Sequence, residues 1–201
     1  VQQLQAGQRV AYVSDAGTPG VSDPGARLVA AVQAAGLRCI PLPGASSVTS
    51  ALSVAGAVAP TADSGGFLFA GFLPPKGAER TAAVQRLAAE PRCVVLLEAP
   101  HRIAALADTL ADLGELPVTL ARELTKQFEE VSTHPARKLA AWLAGAPQRV
   151  KGEFVVLLHP LAATQDDGAE AERVLRLLLD ELPTKTAVKL AADIAHASRN
   201  T

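Results

Sequence analysis

Three pairs of opposite charge border apolar runs: Glu98 with Arg102, Glu123 with Lys126, and Lys151 with Glu153. A carboxylate so placed can take a proton from a weak nucleophile, and a cation can steady the charge that develops on it. A second group is built for binding. The stretch VAYVSDAGTPGVSDPG, residues 10–25, carries Ser14-Asp15 and Ser22-Asp23 in a loop punctuated by Gly17, Gly20 and Gly25 and by Pro19 and Pro24. A third stretch, PGASS at residues 43–47, sets Ser46 and Ser47 at the start of a helical pattern, beside free backbone N–H groups. Taken singly, each has an ordinary explanation. A lone surface ion pair is worth little, and serines before a helix cap it. Three charge pairs at equivalent places, with two polar turns that each follow an apolar run, favour a ligand crevice between two domains.

The elements that position these residues follow from apolar periodicity. Residues 10–13 (VAYV) and 37–42 (LRCIPL) are short apolar runs that predict buried strands. Asp23-Pro24 fits the start of a helix over residues 25–35, and a second helix is expected after Ser47. The connection between residues 13 and 25 is about twice the usual strand-to-helix length of 2–6 residues, which favours a binding role. Residues 55–66, rich in Gly, Pro and small side chains, read as a linker. Beyond it, strands are expected at 67–73, 93–99, 118–125 and 152–159, with helices at 78–89, 100–113 and 135–144 between them. Residues 161–168 form a polar linker. Helices at 169–182 and 187–197, joined by a four-residue turn, resemble a helix-turn-helix with a modest basic side from Lys185, Lys189 and Arg199. The same pair also suits an accessory or dimer contact. The opening VQQLQAGQR reads as the last turn of a helix stopped by Gly7, and with no methionine in the chain it predicts a piece of a longer protein.

Composition narrows the class. The 201 residues are 49% apolar and 19% charged with a formal net charge of −1, a globular balance without the basic excess of many nucleic-acid binders. No apolar run approaches the ~18 residues that span a bilayer. Cys39 and Cys93 lie in apolar runs and are expected as buried free thiols, in keeping with a cytoplasmic protein. The four histidines lack ligand spacing, so no metal is expected. There is no GxSxG elbow, Walker lysine or GxGxxG.

In chain order, SDAGTPGVSDPG, PLPGASS, FAGFLPPKGAER, LLEAPHRI, LARELTKQFEE and KGEFVVLL resemble motifs of the ribosomal RNA small subunit methyltransferase I family, a branch of the tetrapyrrole (precorrin-type) methylases. The likeness spans residues 7–160, and the tail LPTKTAVKLAADIAHASRNT is similar to the family's C-terminal extension. The resemblance implies a two-domain α/β fold: part of a first α/β domain at 1–62, a second α/β domain at 63–160, and a linker with a helix-turn-helix-like tail at 161–201. It implies S-adenosyl-L-methionine in the cleft, a homodimer, and methylation of the ribose 2′-hydroxyl of a decoding-centre cytidine in 16S rRNA of the small ribosomal subunit. Cofactor contacts are then expected from Ser14, Asp15, Ala16, Gly17, Thr18, Ser22, Asp23 and Pro24, from Ser46 and Ser47, and from Phe72 and Leu73 across the cleft. Glu123, Lys126, Glu98 and Arg102 are the candidate catalytic groups. The family's N-terminal strand and Gly-Asn-Leu-Gly-Asp-type loop are not among these residues, which predicts weak cofactor binding by this stretch alone. Two alternatives share the fold: a methylase of a small tetrapyrrole, and a non-catalytic RNA-binding or ribosome-assembly module.

Overall fold

The computed structural model describes residues 1–15, 17–59, 65–160, 167–179 and 181–195. The chain divides into two units, Val1–Pro160 and Leu161–Thr201. The first opens with a single helical turn, α1 (Gln2–Gln5), closed by Gly7. The helices α2 (Ala26–Ala34) and α3 (Ser47–Ala55) follow. Then come β1 (Phe67–Phe72), α4 (Gly77–Ala88), β2 (Cys93–Glu98), α5 (Ile103–Leu110), β3 (Pro117–Arg122), β4 (Glu130–Pro135), α6 (Leu139–Ala144) and β5 (Phe154–Leu158).

The five strands form one mixed sheet in the order β1-β2-β5-β3-β4. β1 and β2 run parallel, joined by α4; β5 is antiparallel to both β2 and β3, and β4 closes the edge against β3. Alternate residues of the central strands face opposite sides, as the period of two requires. Val94, Leu96, Val118, Leu120, Phe154, Val156 and Leu158 join one core with Val84 of α4, Ile103, Leu106 and Leu110 of α5, and Leu139 and Leu143 of α6. Cys93, Val95, Ala121, Val155 and Leu157 join the other, against Val48, Ala51 and Ala55 of α3. Because both faces are covered, the strands read as unbroken apolar runs. α3 presents small residues on its buried stripe, which lets it lie close to the sheet.

Several expectations are corrected. Residues 10–13 and 37–42 are not strands: they join no ladder, and Val13 (80% exposed) and Leu42 (85%) face solvent. A strand is completed by its hydrogen-bonded neighbour, and no other described segment pairs with them. Cys39 is accordingly exposed, whereas Cys93 is buried as expected. Helix α2 starts after Gly25, two residues beyond the Asp23-Pro24 start expected. The strand expected over 118–125 stops at Arg122, because Glu123 (φ +49°) and Thr125 (φ +64°) turn out of extended geometry. β4 itself was not expected. The linker over 55–66 falls partly outside the described residues, as does that over 161–168.

The second unit holds α7 (Asp167–Leu179) and α8 (Thr184–Ala195), two amphipathic helices. α8 buries Ala187, Ala191 and Ala192.

Candidate functional site

The loop that precedes α2 is shaped by its punctuation. Val21 N donates to Thr18 O at 3.2 Å, with Pro19 and Gly20 (φ +82°) at the two central positions, the arrangement of a type II turn. The Tyr12 hydroxyl reaches across to donate to Pro24 O at 2.9 Å. That closure depends on Gly25, where a Cβ would stand 2.8 Å from the Tyr12 ring. The hydroxyl of Thr18 donates to Ala45 O at 3.3 Å, so the loop is tied to the second polar turn. Ser22 lies near the end of β1: its Oγ would be 3.7 Å from a Cβ placed on Gly71, which follows the point between Phe69 and Gly71 where β1 slips register against β2. The sequence-predicted loop, turn and strand end therefore meet in one place. Asp15 is exposed and Asp23 half-buried; Ala16 lies outside the described residues. Ser46 is the N-cap of α3, yet its side chain makes no capping bond, which leaves the first-turn N–H groups of α3 without that partner. Phe72 is 53% exposed, whereas Leu73 is buried.

The charged candidates gather at one end of the sheet. Phe72 is in register with Leu97, and Glu98 and Arg122 both pair with Phe154. Antiparallel β5 thus brings the residues before its first position to the carboxyl ends of β2 and β3. Two distinct arrangements form there.

Around Glu123 the groups are open to solvent. Its Oε1 accepts from Lys126 Nζ at 3.0 Å and from the backbone N–H of Glu153 at 2.9 Å, while Lys126 Nζ also reaches Glu153 Oε2 at 3.1 Å. The backbone closes the same corner: Glu123 N donates to Glu153 O at 3.0 Å. Gly152 (φ +92°) is required here, since a Cβ would fall 2.5 Å from Glu123 Cγ. The Glu153 N–H and the Lys126 ammonium hold the Glu123 carboxyl below its ordinary value. Glu123 and Glu153 in turn raise Lys126. The expected Lys151–Glu153 pairing is replaced: Glu153 belongs to Lys126, and Lys151 offers its carbonyl to Arg122 at 3.4 Å. Beside this corner Pro100, His101, Ala104, Val150, Lys151 and Gly152 line a shallow groove.

Around Glu98 the groups are enclosed. Its side chain is fully buried; Oε1 accepts from Ala99 N at 2.9 Å and lies 2.9 Å from Arg102 Nε, and Oε2 lies 3.7 Å from Arg80 Nη2. Both arginines hold backbone. Arg102 Nη2 donates to Leu73 O at 2.6 Å and Arg80 Nε to Pro74 O at 2.9 Å. Of the four charged candidates, Lys126 is the most open to solvent, Glu123 and Arg102 are each about one fifth exposed, and Glu98 is sealed, with Arg102 bracing the end of β1. Sequence reading left out Arg80, whose only signal was a cation in a helix that follows a Pro-Pro turn, and Gly152, which stood unremarked before Glu153.

A family described as "Tetrapyrrole (Corrin/Porphyrin) Methylases" matches residues 1–140, and one described as "RsmI C-terminal HTH domain" matches residues 165–201. A Pseudomonas aeruginosa protein named ribosomal RNA small subunit methyltransferase I is 44% identical over all of this chain and 71% of its own length. The Escherichia coli O157:H7 protein of that name is 43% identical over 98% of this chain and 68% of its own length. Among solved structures, the methyltransferase CobJ superposes with a TM-score of 0.57 at 22% identity, covering 80% of this chain and 68% of its own. A cobalt precorrin-4 methyltransferase gives 0.52 at 15% identity, over 71% and 61%. These last two show the fold. S-adenosyl-L-methionine is the cofactor of the family. The donor set suits it: hydroxyls and carboxylates from the loop for a ribose diol and cationic centres, and uncapped α3 N–H groups for a carboxylate. By identity along this chain as well as by fold, the chain belongs to the ribosomal RNA small subunit methyltransferase I branch of the tetrapyrrole methylases.

Proposed function

We propose that the protein methylates the ribose 2′-hydroxyl of a decoding-centre cytidine in 16S rRNA, as a cytoplasmic homodimer. The observation that carries the reading is the shared sheet end. The polar loop reaches β1 at Gly71, and the Glu123–Lys126–Glu153 corner lies at the carboxyl end of β3. β1 and β3 are separated by three strand spacings, about 14 Å at ~4.8 Å each, room for a cofactor on one side and a nucleoside on the other. Residues 1–62 and 63–160 then act as two domains, one for each wall.

Ser14, Asp15, Ala16, Gly17, Thr18, Ser22, Asp23 and Pro24 would hold S-adenosyl-L-methionine together with Ser46, Ser47, Phe72 and Leu73. Once bound, it supplies an electrophilic methyl on a sulfonium. The chain's own task is to place the ribose hydroxyl in line and to make its oxygen a better nucleophile. Glu123, held ionised, is a weak base; it would accept a hydrogen bond from the hydroxyl and so orient it, with the proton passing to water as the methyl is transferred. Lys126, fixed by two carboxylates, offers a cation to the charge that grows on the oxygen. Glu98 and Arg102 serve by keeping the end of β1 in place.

The test uses full-length protein, labelled S-adenosylmethionine, and either 30S subunits or a tetrapyrrole as acceptor. Label in the 2′-O-methyl of a 16S cytidine is the expected result. Label only in the tetrapyrrole, or in neither acceptor, overturns the reading. Glu123→Ala and Lys126→Ala should each lower turnover by about 10²-fold or more with cofactor affinity retained. Wild-type turnover in both removes them from the mechanism.

A further inference from the structure

Residues 73–76 read Leu-Pro-Pro-Lys, and the two prolines carry no N–H. This segment leaves the end of β1 with carbonyls to satisfy and few backbone donors of its own. The donors come from two arginines. Arg80, 3% exposed, gives Nε to Pro74 O at 2.9 Å; Arg102 gives Nη2 to Leu73 O at 2.6 Å and lies 3.4 Å from Pro74 O. Behind them Glu98, its side chain fully buried, lies within ion-pair range of both guanidinium groups. Two guanidinium groups, from α4 and from the turn after β2, thus converge on two consecutive carbonyls, with the Glu98 carboxylate of β2 behind them. A plain hydrophobic contact would anchor the strand at less desolvation cost. What the arginine fork adds is direction, because a planar guanidinium fixes the angle as well as the distance of what it holds.

We propose that Arg80 is a positioning residue: with Arg102, and aligned by Glu98, it sets the backbone of residues 72–74 so that this wall presents Phe72 and the Leu73 backbone to the cofactor. The proposal rests on the methylase reading above. Its consequence is selective. Loosening the fork shifts the cofactor wall but leaves the Glu123–Lys126–Glu153 corner, whose ion pairs use none of the fork's side chains, as it was.

The experiment compares Arg80→Lys and Arg80→Gln in the full-length protein, with Arg86→Lys on the exposed side of the same helix as control. Lysine keeps a charge beside Glu98 and loses the fork, so it preserves a measurable fold where glutamine does not. Hydrogen exchange is read at the amides of Leu73 and Lys76 against those of Val94–Leu97, without cofactor. Binding of S-adenosylhomocysteine is read by calorimetry, and kinetics are run on 30S subunits. Expected for Arg80→Lys are faster exchange at Leu73 and Lys76 only, and about tenfold weaker binding. KM for S-adenosylmethionine should rise in step, with KM for the 30S subunit unchanged. Unchanged binding, or exchange that rises through the whole sheet, overturns the proposal and leaves Arg80 a structural residue. Wild-type protein that binds S-adenosylhomocysteine yet methylates nothing counts against the methylase reading alone; the exchange and binding results still decide the role of Arg80.

Discussion

At the scale of residues, two glutamates at the ends of the strands that flank β5 do different work because their surroundings differ. Glu98 has no exposed side-chain surface and two arginines to neutralise, whereas Glu123 keeps 19% of its side chain exposed beside a solvent-facing lysine. Removing one member of a buried charge cluster strands the others. Glu98→Ala should therefore cost about 3–5 kcal/mol, read by urea unfolding, while Glu123→Ala costs far less stability and more turnover. Gly152→Ala is expected to cost about 1–3 kcal/mol on the same measurement, because its φ is unsuited to a side chain and its Cβ meets Glu123 Cγ. In the binding loop, Asp15→Ala should weaken cofactor affinity in calorimetry without moving the unfolding midpoint, since Asp15 lies exposed in the loop.

At the scale of elements, β4 shows how an edge strand escapes notice. Its sequence EVSTHP has no apolar stripe; it is held by its ladder to β3 and by Thr119 Oγ1, which meets Thr133 Oγ1 at 2.6 Å and His159 Nε2 at 2.7 Å. Burial holds the His159 imidazole below its ordinary value of 6.5. A lowered folded value means that stability is fully present above the unfolded value and is lost as pH falls through the folded one. Urea midpoints should therefore decline below about pH 6.5, and His159→Gln should flatten that decline. The converse case is residues 10–13 and 37–42, whose composition predicts strands that the fold does not make. Apolar content marks a segment fit for a sheet, but only a neighbouring strand supplies the hydrogen bonds.

At the scale of the whole molecule, the first unit carries the candidate cofactor and chemical groups, and the second carries two helices matched by the "RsmI C-terminal HTH domain" family. If the second unit contributes RNA affinity, deleting residues 161–201 should leave S-adenosylhomocysteine affinity within about twofold and weaken 30S binding by tenfold or more, measured by filter binding. Equal 30S affinity in the truncated protein would assign that unit another task.

The sequence by itself determined the family, the polar loop, four of the five strands from 67 onward and the presence of charge at their ends. These are local: a motif, a periodicity and a glycine each report on a few consecutive residues. Tertiary structure decided which charges meet. Because β5 runs antiparallel between β2 and β3, Glu153 reaches Lys126 across 27 residues, Arg122 takes the carbonyl of Lys151, and Glu98 is sealed between Arg80 and Arg102. Pairing across a sheet depends on strand order and direction, and neither is written in the spacing of residues along one strand.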